Sequence, residues 1–213
     1  MNVTRRRALG LIAASTLLAA CGKSIKLAAI APGKTVLAFG DSVTFGTGAA
    51  PGEDWPSLIA ARTGWRVINA GVPGDTAEAG KNRLPALLAE HRPDLVIVEI
   101  GGNDFLRRQP DESVKEDIRQ MLREIRQQGA TAVLVAVPAF SLMSAVGKPA
   151  DSPIYQALGK EEKIPVIADV FSGVLGRAEL RADPIHPNAQ GYARMAAEMT
   201  DRLRELGLFS GSR

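Results

Sequence analysis

The sequence predicts a single α/β domain in three layers, with a parallel sheet of about five strands covered by helices on both faces. Short runs rich in valine and isoleucine recur along the chain and are almost continuously apolar, which is typical of strands buried on both faces. Helical patterns separate these runs, and this alternation favours a parallel sheet. The length of 213 residues and the 46% share of hydrophobic residues fit one domain with a sizeable core.

The N-terminal segment differs from the rest of the chain and predicts export. Residues 1–20 combine three arginines with an apolar stretch, Ala8–Ala20, which is short for a membrane span but fits a signal peptide. The segment runs into LAAC, which resembles a bacterial lipobox with Cys21 as the lipidated N-terminus. The alternative is an ordinary signal peptide that is cleaved nearby, in which case Cys21 is incidental and carries no lipid. We therefore expect a lipoprotein anchored on the periplasmic side, with residues 21–33 as a mobile tether and residues 34–213 as the folded domain.

The charge balance does not point to a nucleic-acid partner. The whole chain has 26 Lys and Arg against 23 Asp and Glu, and residues 1–20 carry three arginines and no acid. Once that segment is removed, 23 residues of each sign remain, so the basic footprint of a nucleic-acid-binding protein is missing. Cys21 is the single cysteine, which excludes an internal disulfide and a cysteine-based metal site. We expect no metal and no other cofactor.

Five apolar runs are the predicted strands. Because ligands of open parallel sheets bind beyond the carboxyl ends of the strands, functional residues are expected directly after these runs. The runs are Thr35–Gly40, Arg66–Gly71, Leu95–Gly101, Ala132–Pro138 and Pro165–Val170.

Helical spacing of apolar residues fills the intervals between the strands. The longest such segment places Val114, Ile118, Met121, Leu122 and Ile125 on one face. The predicted helices are Trp55–Arg62, Asn82–Glu90, Asp111–Gln128, Ile154–Lys163 and Ala189–Leu206.

A serine follows the first predicted strand, in the stretch AFGDSVTFGTG. Gly40 permits a tight turn there, which lifts the next side chains to the edge of the sheet. Ser42 is therefore a candidate nucleophile. The structural alternative is that Ser42 or Asp41 only caps the next helix.

A stiff acidic and basic pair occurs late in the chain, in RADPIHPNAQGY. Asp183 precedes His186 by three residues, and Pro184 and Pro187 restrict the backbone around them. A carboxylate that orients an imidazole is half of a catalytic triad, and a serine hydroxyl needs such a base. The other histidine, His91, lies between a predicted helix and the next strand, at the opposite edge of the sheet, and is expected to be a surface residue.

Four motifs in this order resemble the SGNH, or GDSL, hydrolase family over Lys34 to Leu206. The details GDSVTFGTG and HPNAQGY are similar to the small bacterial arylesterase, thioesterase I and lysophospholipase group. Val43 stands where the family name has leucine, a conservative change. The four motifs are FGDSVTFG with Ser42, NAGVPGDT with Gly71, GGND with Asn103, and DPIHP with Asp183 and His186.

The resemblance implies a flavodoxin-like hydrolase fold and a serine esterase that forms an acyl-enzyme. It implies Ser42 as nucleophile, His186 as base and Asp183 as the acid that orients it. The N–H groups of Ser42 and Gly71 and the side chain of Asn103 would form the oxyanion hole. An Asp104 cap on the following helix would leave the Asn103 amide free. The implied substrates are small aryl esters, acyl thioesters or lysophospholipids.

Other functions remain open at this point. A carbohydrate O-deacetylase uses the same triad, and a flavodoxin-like binding lipoprotein without catalysis would explain the fold but not the Asp183 and His186 pair. A metallophosphoesterase would need several histidines, and this chain has two. The apolar residues Phe140, Leu142 and Met143, after the fourth strand, either line an acyl pocket or fill the core.

Overall fold

The predicted α/β class is confirmed by the computed structural model, which describes residues 26–139 and 149–210. All strand pairs are parallel, and the strand order is β2-β1-β3-β4-β5. The strands are Thr35–Gly40 (β1), Arg66–Gly71 (β2), Leu95–Glu99 (β3), Thr131–Val135 (β4) and Val166–Ile167 (β5).

Helices follow the strands and form two outer layers. Helix α8 packs on α2 and on α7, and helix α5 packs on α3 and on α6. The helices are α1 (Ser42–Phe45), α2 (Trp55–Thr63), α3 (Ala77–His91), α4 (Gly102–Leu106), α5 (Asp111–Gln127), α6 (Pro153–Glu162), α7 (Val170–Leu175) and α8 (Ala189–Glu205), with a 3₁₀ helix at Ala178–Leu180. No helix in the described ranges is long and apolar enough to cross a membrane.

The strand order creates a switch point at the middle of the sheet. The chain leaves β1 to form β2 on one side, then crosses to the other side of β1 to form β3. The loops after β1 and β3 therefore diverge, and a crevice opens between them at the carboxyl edge. Ser42 follows β1 and Asn103 follows β3, so the topology brings both side chains to this crevice.

The last strand is shorter than predicted. The apolar run Pro165–Val170 suggested a full strand, but pairing covers only Val166–Ile167. Asp169 adopts a left-handed conformation with φ of 63°, and α7 begins at the next residue. A left-handed residue cannot continue a strand, so the run ends early.

The packed part of the chain begins before the predicted boundary at residue 34. The N–H groups of Leu27 and Ile30 donate to the carbonyls of Leu206 and Leu208, and the Ile30 side chain is buried. Trp65 donates its indole N–H to the Ile30 carbonyl at 3.0 Å. Of the predicted tether, residues 26–33 thus contain an anchored segment. The signal peptide, Cys21 and the apolar residues of 140–148 lie outside the described residues.

Candidate active site

The turn after β1 presents Ser42 at the edge of the sheet. Ser42 is the first residue of α1, and Asp41 caps that helix by accepting a hydrogen bond from the Val43 N–H at 3.0 Å. Gly40 has no room for a side chain, because a Cβ there would lie 2.1 Å from the Glu99 carbonyl oxygen. Asp41 is therefore the cap of this helix, and the Ser42 side chain is left free for another contact.

The loop before α8 brings a histidine and an aspartate to this serine. His186 Nε2 lies 2.9 Å from Ser42 Oγ, and His186 Nδ1 lies 2.7 Å from Asp183 Oδ2. Ser42 and His186 are 144 positions apart in the sequence. The three side chains therefore form a continuous Ser–His–Asp chain, the geometry in which an imidazole accepts a hydroxyl proton.

Local hydrogen bonds hold Asp183 in its ionised form. The carboxylate accepts the N–H groups of Ile185 and His186 through Oδ1, both at 2.9 Å. Partial burial raises the pKa of Asp183, but the hydrogen bond to the His186 ring and the two N–H groups outweigh it, so the pKa lies below its usual value. A charged Asp183 can fix the tautomer of His186 and stabilise its protonated form.

Contacts on both sides of the loop fix its position. The Ala182 N–H donates to the His186 carbonyl at 2.9 Å, and Asn188 caps α8 by accepting from the Gly191 N–H. The Tyr192 hydroxyl of α8 donates to the Thr47 carbonyl, in the loop that follows Ser42. The base is thus tied to the same loop that carries the nucleophile.

Two of the residues predicted to supply oxyanion donors, Ser42 and Asn103, line the crevice. The N–H of Ser42 lies at the start of α1, where no helical acceptor exists for it. Asn103 lines the crevice, and its Nδ2 donates to the Asp75 carbonyl at 2.9 Å and more weakly to Asp41 Oδ2 at 3.3 Å. The short bond to Asp75 fixes the amide, and the long one is the weaker of the two.

The third predicted donor, Gly71, is engaged elsewhere. β2 is an edge strand, and the next N–H, that of Val72, donates to Gly40 in β1. The Gly71 N–H therefore points to the open side of the strand, where it donates to Asn69 Oδ1 at 3.0 Å. Its lack of a side chain has a packing reason, since a Cβ would lie 2.1 Å from the Phe45 nitrogen. The N–H that was predicted to serve the oxyanion hole is thus bonded to Asn69 in this structure.

Asp104 also departs from its expected role. It lies inside α4 and accepts the N–H of Ala77, the first residue of α3, at 2.9 Å. The cap therefore serves a different helix from the one predicted. Burial raises the pKa of Asp104, although its backbone hydrogen bonds oppose the shift.

Two buried carboxyl groups lie beneath the nucleophile. Asp41 is 3% exposed, and burial raises its pKa to about 7, against the opposing effect of the Val43 N–H. Glu99 is fully buried, and burial followed by the charge of Asp41 raises its pKa well above the usual value. One Glu99 oxygen accepts from the Thr44 hydroxyl at 2.8 Å. Sequence reasoning missed Glu99, although an acid inside the apolar run LVIVEI was a usable signal.

The crevice beside Ser42 combines polar and apolar walls. His91 does not belong to it, because it is the last residue of α3, at the far edge of the sheet. No group of three or more His, Cys, Asp or Glu within residues 26–139 and 149–210 is arranged to hold a metal ion. The crevice is lined by Asp41, Ser42, Val43, Gly102, Asn103, Leu106, Phe171, Ile185 and His186.

The fold and this site define the class of the protein: a serine hydrolase on a parallel α/β sheet. Comparison with known proteins narrows the class. The model of the GDSL-like lipase/acylhydrolase family matches residues 38–194. The chain belongs to this family and is a serine esterase.

Characterised relatives agree with this assignment. Esterase TesA of Pseudomonas aeruginosa is 32% identical over 196 residues, which cover 89% of this chain and 98% of the relative. Thioesterase 1/protease 1/lysophospholipase L1 of Escherichia coli is 32% identical over 81% of this chain and 84% of its own length. The crystal structure of TesA superposes with a TM-score of 0.72 at 31% identity, covering 81% of this chain and 99% of that one.

Proposed function

We propose that the protein hydrolyses small acyl esters through an acyl-enzyme formed on Ser42. The observation that carries this proposal is the chain of contacts at 2.9 Å and 2.7 Å from Ser42 through His186 to Asp183. His186 Nε2 takes the hydroxyl proton while Ser42 Oγ attacks the carbonyl carbon. The proton then passes to the leaving alcohol as the ester bond breaks. Water attacks the acyl-enzyme in the reverse sequence, which releases the carboxylic acid and restores Ser42.

The negative charge on the carbonyl oxygen is stabilised by the Ser42 N–H and the Asn103 amide in this proposal. The amide exchanges its weak contact with Asp41 for the oxyanion and keeps its short bond to the Asp75 carbonyl. We assign the glycine donor to Gly74 rather than Gly71. Gly74 is exposed in the adjoining turn, and its N–H donates to no acceptor in the part of the chain that the structure describes.

The substrates that we propose are aryl esters, acyl thioesters and lysophospholipids. Leu106, Phe171 and Ile185 give the crevice apolar walls that suit an acyl chain. Phe45 and Leu106 are also exposed near Ser42, where they extend this apolar surface. The Escherichia coli relative is described as a thioesterase and lysophospholipase, and a Vibrio mimicus relative, 28% identical over 79% of this chain and 87% of its own length, as an arylesterase.

A substrate panel tests the substrate class. We expect nitrophenyl esters and acyl-CoA thioesters of graded length to be hydrolysed with higher kcat/KM than acetylated sugars. Higher kcat/KM on acetylated sugars would replace this proposal with the deacetylase function.

Substitution of the proposed nucleophile tests the mechanism. Ser42→Ala should abolish both turnover and labelling by a fluorophosphonate probe, since the probe reacts with an activated serine hydroxyl. Asp183→Asn should keep the serine but lower kcat by a factor on the order of 10⁴, because it favours the wrong imidazole tautomer. Labelling that persists in Ser42→Ala would show that another residue is the nucleophile.

We further propose that the chain is exported and anchored through a lipid on Cys21. The support is the basic and apolar segment of residues 1–20, which ends next to this cysteine. A multiply acylated N-terminus anchors stably, whereas one acyl chain binds only marginally. Cys21→Ser should move the esterase activity from the membrane fraction to the soluble fraction or block processing. Unchanged fractionation and processing would show that the cysteine is incidental.

A further inference from the structure

A closed ring of contacts lies behind the nucleophile turn and connects four segments of the chain. We call it the support ring and define it by Gly40, Asp41, Asn103, Asp75 and Arg83. Asn103 bonds to Asp41 and to the Asp75 carbonyl, and Arg83 bonds to the Asp75 carboxylate and to the Gly40 carbonyl. The peptide bond between Gly40 and Asp41 completes the circuit.

Arg83 connects the two halves of the ring with its guanidinium group. Its Nε donates to Asp75 Oδ2 at 2.6 Å and its Nη2 donates to the Gly40 carbonyl at 2.9 Å. The guanidinium carbon lies 4.2 Å from the centre of the Phe39 ring, which packs one face of the group. The side chains of Arg83 and Asp75 are 24% and 14% exposed, so solvent screens this pair less than a surface pair.

The ring bears directly on the Asn103 amide. An amide nitrogen carries two hydrogens, and the ring takes one in the short bond to the Asp75 carbonyl. The other hydrogen then points towards Asp41 and the crevice, because the amide is planar. A shift of the Asp75 backbone would rotate this hydrogen away from the crevice, and Arg83 is the group that ties the Asp75 side chain to the end of β1.

We propose that Arg83 is a positioning residue for the oxyanion hole, acting through Asp75 on the Asn103 amide. Arg83 lies on α3 and lines no part of the crevice in the described ranges, so it acts without touching substrate. The planar fork of arginine reaches two acceptors in fixed directions, which the single ammonium group of lysine does not reproduce. The inference rests on the proposed role of Asn103 in the oxyanion hole.

A double-mutant cycle tests this inference with the full-length enzyme. Asn103→Ala should lower kcat by a factor on the order of 10²–10³ with little change in KM. Arg83→Met keeps an apolar stem over Phe39 and should lower kcat roughly 10-fold, with KM within about twofold, because the lost contact matters in the transition state. In the Asn103→Ala background, Arg83→Met should lower kcat by less than about twofold further.

Affinity for a boronic acid that adds to Ser42 provides a second measurement. This adduct is tetrahedral and places an oxygen in the oxyanion hole, so its inhibition constant should rise roughly 10-fold in Arg83→Met. Arg83→Lys should resemble Arg83→Met rather than wild type. Lys81→Met is the matched control, since Lys81 lies on the same helix and pairs with Asp117 outside the ring. The control should leave kcat and the inhibition constant within about twofold.

The outcomes separate failure of the inference from failure of the proposed function. If Asn103→Ala keeps a wild-type kcat, the oxyanion role itself is wrong. The positioning role of Arg83 is wrong if Asn103→Ala lowers kcat and Arg83→Met does not. It is also wrong if the two reductions in kcat multiply in the double variant. In both cases the role of Asn103 stands. Should Arg83→Met not fold, Asp75→Asn makes the same test, because it weakens the arginine contact and keeps the backbone carbonyl that Asn103 uses.

Discussion

At the level of single residues, Asp41 accepts two hydrogen bonds in a buried environment that disfavours its charged form. It caps α1 through Val43 and accepts from Asn103, so its oxygens connect the nucleophile turn to the proposed oxyanion amide. Burial raises its pKa to about 7, since the charged form loses water. The groups whose charges act on it are His186, which lowers the pKa, and Asp104, Asp75 and Glu99, which are acids. The charged form of Asp41 therefore destabilises the folded state.

We predict that Asp41→Asn stabilises the protein above neutral pH. Because the folded pKa is raised from 3.8 to about 7, the folded state holds a proton that the unfolded state releases between these values. Wild-type stability therefore falls as the pH rises from about 4 to 7, and the cost is fully present above pH 7. At pH 8 the variant should gain up to about 4 kcal/mol in the free energy of unfolding, and the gain should vanish near pH 4.

Urea unfolding at pH 4, 6 and 8 measures this dependence. Asp183→Asn is the matched control, because the pKa of Asp183 is lowered and its charge stabilises the folded state. Removal of this charge should decrease the free energy of unfolding at neutral pH. The decrease should disappear as the pH falls below the usual pKa range of aspartate. A stability difference for Asp41→Asn that does not change with pH would contradict the prediction.

Sequence motifs identified the candidate residues that are recognised by their residue type and by their order along the chain. Ser42, Asp183 and His186 each stand in a short distinctive stretch, and the structure brings them into contact. The bond from the Gly71 N–H to Asn69 was not predicted, because the direction of an N–H depends on the side of the strand that is paired. Arg83 was missed because its partner Gly40 lies 43 positions away and nothing in the sequence of a helix indicates such a contact.

At the level of elements, the strongly periodic segments were predicted most accurately. Helix α5 begins at Asp111 as predicted and ends one residue earlier than predicted, because its apolar positions define a continuous buried face. Strands β1 and β2 have the predicted bounds. The short helices α1 and α4 were not predicted. Each is less than two turns long, so it shows no periodicity, and tertiary contacts at the crevice stabilise it.

The N-terminus of α3 shows how one element stabilises another. Thr76 caps this helix by accepting from Ala79, and Asp104 of α4 accepts the N–H of Ala77. Ala77 is fully buried, so its N–H cannot turn to water if the carboxylate is lost. The first turn of α3 therefore depends on α4 as well as on its own cap.

We predict that Asp104→Ala destabilises the fold by about 2–3 kcal/mol, because a buried donor loses its partner. Thr76→Ala should cost about 1 kcal/mol, the usual effect of removing an N-cap, because the Ala79 N–H that Thr76 accepts is exposed to solvent. Asp104→Asn should recover most of the loss, since its amide oxygen accepts the same N–H without a buried charge. Urea unfolding of the three variants at pH 7 makes the comparison. Equal losses for the alanine and asparagine variants would contradict the proposed contact.

At the level of the whole molecule, the fold places the site and the N-terminal segment of residues 26–33 in different parts of the domain. The switch point between β1 and β3 collects the loops that carry Ser42 and Asn103, and the sequence predicted this edge from the alternation of strands and helices. The pairing of the N-terminal segment with residues 206–208 was not predicted. That segment shows neither helical nor strand periodicity, and it pairs with residues that belong to no strand. Only the folded structure therefore shows where it lies.

The last prediction concerns this N-terminal segment. A chain that starts at Lys34 should have a Tm roughly 4–10 °C below that of a chain that starts at Lys26. The shorter chain loses the buried side chain of Ile30 and leaves the indole N–H of Trp65 without its acceptor, a cost of about 2–3 kcal/mol. Trp65 is 3% exposed beside Phe209, so its fluorescence should shift to longer wavelength when the segment is removed.

Substitution of this tryptophan separates the local effect from general loosening. Trp55 is fully buried and its indole lies elsewhere in the core, so it should report no change. Trp65→Phe in the Lys34 chain should therefore abolish the shift in fluorescence while the lower Tm persists. Esterase activity at a temperature well below both transitions should be equal in the two chains, because the segment lies away from the Ser42 crevice. Identical Tm values for the two chains would show that residues 26–33 contribute nothing to stability. The stably folded domain would then begin at residue 34.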